Sequence, residues 1–144
     1  MKRIAQGMLA VIPIGAWASG YLGPRPFPEK TFPSQEACVS ELRRMHAATM
    51  VLADPAPRAT DGGGTFQTSV SSDGVEVADQ RLARYAVEIG YLARQPDWEI
   101  EQVVSQYSWE RTDVTCANGK LSGQQSQGYS QPGYEPLEAR DQRR

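Results

Sequence analysis

Histidine occurs once in the 144 residues, at His46, and cysteine twice, at Cys38 and Cys116. A zinc site built from Cys and His needs about four such ligands, so that class is excluded. No G-x-S-x-G is present, and a serine hydrolase would have to draw its base from His46. No C-x-x-C is present either, which removes a thioredoxin-like redox role. Positive charge is not in excess: Lys plus Arg total 15, Asp plus Glu 17, and the net charge is -2. A nucleic-acid binder that works through clustered cations is therefore excluded. Gly62-Gly63-Gly64 lacks the Lys-Ser or Lys-Thr of a phosphate loop and reads as a flexible link.

Long apolar runs are also scarce. The one uncharged stretch of note, Ile4 to Ala18, is fifteen residues and is interrupted by Gly7, Pro13 and Gly15. A spanning helix needs roughly 20 residues. Lys2 and Arg3 precede the stretch, and Ala16-Trp17-Ala18 closes it before Ser19-Gly20. A positive start, an apolar middle and a small-x-small end describe a secretory signal peptide over 1–18. The competing readings are an uncleaved anchor and a buried N-terminal helix. Cleavage after Ala18 removes two of the 15 basic residues and leaves 13 against 17 acidic ones. The expected location is a bacterial periplasm or the exterior, with no stable membrane span after cleavage.

Export gives the cysteines a use, because disulfides persist in oxidising compartments. Cys38 and Cys116 can form only one intramolecular bond, and it closes a loop of 78 positions. A loop of that length is worth about 4 to 5 kcal/mol in the chain-entropy model.

The remaining 40% hydrophobic and 22% charged composition suits one small domain. Residues 19–33 hold four prolines in fifteen positions and read as a flexible lead-in. Ser34 is a helix N-cap signal. Behind it Cys38, Leu42, Met45, Thr49 and Leu52 fall on one narrow helical face, and Asp54-Pro55 ends the run. Residues 54–64 are a loop. TFQTSV and VEVAD read as two short strands around an SSDG turn. Residues 82–92 and 99–109 fit a strand or a helix; their Tyr, Val and Ile content favours strands, with a turn at Gln95-Pro96-Asp97. Asn118-Gly119 between VTCA and KLSG marks a two-residue hairpin. From Gln124 to Arg144 the chain is polar, rich in Gln, Gly and Ser, and is expected to be disordered.

The expected fold is α+β. One N-terminal helix packs on a small, mostly antiparallel sheet of four to five strands over 34–123, stapled by one disulfide. No cofactor is expected. His46 and Met50 are weak candidates for a soft metal such as copper, but their helical spacing with Met45 does not aim all three groups at one point. No two of the 17 acids stand out as a hydrolytic pair. The aromatics Tyr85, Tyr91, Trp98, Tyr107 and Trp109 crowd the second half, and most are expected in the core. Trp98, Tyr107 and Trp109 are the candidates for partner contact. These features point to a non-catalytic exported protein that binds another protein or an envelope component. A carboxylate-dependent hydrolase and a periplasmic metal-handling protein are the alternatives.

Overall fold

The computed structural model describes residues 20–137. The expected signal peptide over 1–18 lies outside the described residues, as does the tail from 138 onward. In chain order the elements are β1 (Gly20–Pro26), β2 (Lys30–Thr31), α1 (Gln35–Met50), β3 (Arg58–Ala59), β4 (Thr65–Ser71) and β5 (Val75–Val77), followed by β6 (Leu82–Asp97), β7 (Gln102–Ala117), β8 (Lys120–Tyr129) and β9 (Gly133–Pro136).

Ser34 caps α1 as its residue type requires: its Oγ accepts the Ala37 amide at 3.0 Å. The helix stops at Met50, four residues short of Asp54-Pro55, and Leu52 is exposed rather than on the buried stripe. Cys38, Val39 and Leu42 carry the buried face. They meet Ala83, Tyr85 and Val87 of β6, Val114 and Cys116 of β7, and Leu121 of β8. Cys38 and Cys116 are joined, with Cα atoms 5.9 Å apart and both residues fully buried. Beside this bond Gln35 latches the helix start to the final hairpin. Its Nε2 donates to the Cys116 carbonyl at 3.1 Å and its Oε1 accepts the Gly119 amide at 2.7 Å. Asn118 and Gly119 both take positive φ, 49° and 77°, as a two-residue turn between Ala117 and Lys120 demands.

Among the described residues the architecture is therefore one helix on a large antiparallel sheet with one disulfide, but the expectation of four to five strands is corrected to nine. The spine runs β1-β8-β7-β6-β4-β3, with β2 added to β8, β5 to β6 and β9 to β7. The excess has a physical origin. Several of the nine are collinear pieces of one lane, separated by a single extra residue. Ser71 faces Glu88 and Val75 faces Tyr85, so four steps on one side oppose three on the other. That is a β-bulge. The SSDG segment is accordingly not a hairpin turn: β4 and β5 both pair with β6 and run the same way. Gly74 at φ 84° and the Ser72 hydroxyl, which accepts the Gly74 amide and donates to the Ala86 carbonyl, hold the extra residue.

Three further boundaries differ. The strand readings of 82–92 and 99–109 extend into two 16-residue strands. Their turn is Trp98–Glu101 rather than 95–97, with Asp97 Oδ1 accepting the Glu99 amide at 3.0 Å. The lead-in over 19–33 is paired from Gly20, because β1 and β2 form an edge lane on β8. Residues 124–137 are not a disordered tail: β8 continues to Tyr129, β9 pairs with β7, and Leu137 is buried. Among the described residues no helix is long and apolar enough to cross a membrane.

Candidate binding face

The helix covers only part of this sheet. Its contacts fall on β5, β6, β7 and β8. Along β6 burial alternates cleanly from Ala83 to Val87, then becomes intermediate from Tyr91 to Arg94; along β7 every residue from Gln102 to Trp109 is half-buried. Loss of alternation is what a sheet shows when neither face is buried in a core. The aromatic residues collect in that part. Among the described aromatics only Tyr85 is fully buried, with Phe27 and Phe32 packed against the core. The expectation that most of the second-half aromatics fill the core is corrected.

Residues directly opposite one another in an antiparallel ladder share a face. Ser69, Gly90, Trp109, Gly128 and Tyr21 therefore form one row across β4, β6, β7, β8 and β1, on the side away from α1. The two glycines give the rings room to lie down on the sheet. A Cβ at Gly128 would sit 2.8 Å from the indole of Trp109, and one at Gly90 would sit 2.5 Å from Tyr107 Oη. Tyr21 meets Trp109 with ring centroids 5.8 Å apart and a 34° tilt, and it is 63% exposed. Tyr107 donates a long hydrogen bond, 3.5 Å, to Glu88. Burial, then the Glu88 charge, then that bond push the Tyr107 phenol above its ordinary pKa.

Below this row the same face forms an open groove of about 610 Å³. Arg84, Ala86, Asp113, Thr115 and Gln124 line its floor, between the bulged segments Pro24–Pro26 and Asp73–Glu76. Arg25, Asp73, Glu76, Arg84 and Asp113 bring charge to its lining, and Asp113 is held in an ion pair. Arg111 grips Asp113 with Nε at 2.8 Å and Nη2 at 3.1 Å, and this bond first, then the charge, raises the guanidinium pKa. Arg84 stands opposite Glu76, and Arg94 pairs with Glu135.

The proposed contact residues thus divide. Tyr107 and Trp109 share the helix-free face. Trp98, 51% exposed, sits in the far turn, eight residues along β6 from Gly90, the partner of Trp109, and roughly 26 Å away at about 3.3 Å per residue. Tyr21 was hidden to sequence reading inside a proline-rich stretch that carries no local strand signal. Arg111, Asp113 and Thr115 could have been found, since they continue the alternate positions of Tyr107 and Trp109 along one strand.

The metal candidates are not brought to one centre. His46 packs edge-on against Tyr85, with centroids 5.6 Å apart, and Met50 is 40% exposed at the helix end. Among the described residues no three His, Cys, Asp or Glu side chains gather as a metal set. Among the described residues the carboxylates whose pKa is displaced, Glu41 and Asp54, are both lowered, by the Arg44 side chain and by the Thr68 amide respectively. No family model, curated protein or solved structure matches the chain.

Proposed function

We propose that the protein is a small exported, non-catalytic binding protein of a bacterial periplasm or envelope, and that it binds through the helix-free face of its sheet. The observation that carries this reading is the Tyr21–Trp109 ring pair, held outside the core beside an open groove. Large aromatic surface left half-exposed is costly in water and is recovered on binding. The disulfide supports export, since such bonds persist in oxidising compartments.

Cosedimentation with isolated envelope fragments tests the reading. The unaltered protein is expected in the pellet, with Trp109→Ala and Tyr21→Ala left largely in the supernatant. Equal sedimentation of all three proteins, or of none, contradicts the assignment.

A further inference from the structure

We infer that the ligand of this face is a neutral carbohydrate chain laid along β7. The inference rests on the reading of the helix-free face as the binding surface and adds the chemistry of what it takes. Along β7 the outward positions read Tyr107, Trp109, Arg111, Asp113 and Thr115, a strip of roughly 26 Å at about 3.3 Å per residue. Two rings set against Gly128 and Gly90 lead into neutral and self-paired polar groups.

Three features select the ligand class. Charge gives an anion no pull: Arg111 is held by Asp113, Arg84 faces Glu76 across strands, and Glu88 beside Tyr107 and Asp73 in the groove lining add negative charge, so the face does not attract an anionic chain. Backbone donors and acceptors here are engaged in the ladders with β6 and β8, so an extended peptide has no edge to join on this strip. What is offered instead is ring faces flanked by short donors and acceptors. Ser122, Gln124 and Ser126 supply them from β8, and Thr115 from β7. A sugar ring presents the matching pair of surfaces, an apolar C–H face for the aromatic and a rim of hydroxyls for the polar groups. The open groove beyond the rings accommodates a chain rather than a single enclosed sugar.

Affinity electrophoresis in gels holding one soluble polysaccharide each tests this. The set is neutral (dextran, pullulan, a galactomannan, an arabinoxylan) and anionic (alginate, polygalacturonate). Retardation is expected in at least one neutral gel, unchanged between low and high salt. Tyr21→Ala and Trp109→Ala should each weaken it about tenfold, the loss typical of an anchoring ring. Tyr21 is exposed at the sheet edge, so its variant keeps the test intact if Trp109→Ala fails to fold. Retardation in anionic gels alone, or in none, overturns the carbohydrate assignment. If envelope sedimentation still depends on Trp109 in that case, the face stands and only the ligand class falls. If sedimentation is also indifferent to Trp109, the face itself is wrong.

Discussion

Trp109 lies across Gly128, and the absence of a side chain at position 128 is what lets it do so. A Cβ there would stand 2.8 Å from two indole carbons and 2.9 Å from the Gly20 carbonyl. Gly128→Ala should therefore overpack the face and cost about 1 to 3 kcal/mol. In a Trp109→Ala background the indole clash is gone while the Gly20 contact remains. The double-mutant cycle should accordingly recover only part of the loss. Urea unfolding of the four proteins checks this, and near-UV circular dichroism reports whether the indole has moved. Additive effects would show that the ring does not depend on the glycine.

The bond between Cys38 and Cys116 closes a loop of 78 positions with both sulfurs in the core. A double Cys→Ala variant is expected to lose about 2 to 5 kcal/mol. Since both residues are 0% exposed, native-state reduction should proceed no faster than the domain opens. Thiol release in dithiothreitol, followed against urea concentration, measures this. Release independent of urea would mean that the bond is reached without unfolding. Natively expressed, unreduced material should also give an intact mass lacking residues 1–18 and two thiol hydrogens.

The parts legible in the sequence are those whose signal is local. Ser34 before the Cys38–Leu42–Met45 stripe gives the helix, Asn118-Gly119 gives the hairpin, and two cysteines leave one pairing. Other parts depend on distant lanes. Pro24 and Pro26 read as an unpaired lead-in, yet they lie in an edge strand, where a missing N–H is tolerated. Gln124–Tyr129 carry no hydrophobic alternation because their place is fixed by backbone pairing with β7 on one side and β1 on the other. The candidate face was half visible for the same reason. Tyr107 and Trp109 alternate within one strand, but Tyr21 reaches Trp109 only through Gly128 on an intervening strand.

Asp54 ties the segment after the helix to β4. Its Oδ2 accepts the Thr68 amide at 2.7 Å, its own amide donates to the Thr68 carbonyl at 2.9 Å, and Oδ1 pairs with Arg58 at 3.1 Å. The backbone bond is the main reason its carboxyl is held below the ordinary value. A folded-state pKa below the unfolded one, about 3.9, gives stability that is present above that pH and lost as pH falls through the folded value. Asp54→Asn should therefore lower the melting temperature at neutral pH and flatten the acid limb below about pH 4. Melting curves for both proteins from about pH 7 to about pH 2 measure the two effects together. Parallel acid limbs would assign the acid sensitivity to other carboxylates.

Tyr107 provides the opposite sign at the other end of the scale. Burial against the sheet and the neighbouring Glu88 disfavour its phenolate, so its folded pKa is raised. A raised value means that the stabilisation is complete below the unfolded pKa, about 10, and is lost as pH rises through the folded one. Tyr91 is raised in the same direction, by burial and then by Glu110. In a spectrophotometric titration Tyr107 and Tyr91 should thus ionise late, and their ionisation should coincide with alkaline unfolding. Tyr107→Phe removes one late phenol and the Glu88 bond together. It should shift the alkaline midpoint upward while leaving stability near pH 7 within about 1 kcal/mol, because the lost hydrogen bond is long and half-exposed. An unchanged alkaline midpoint would place the critical phenol at Tyr91 or elsewhere, and would mean that Glu88 does not bear on the ring that it faces.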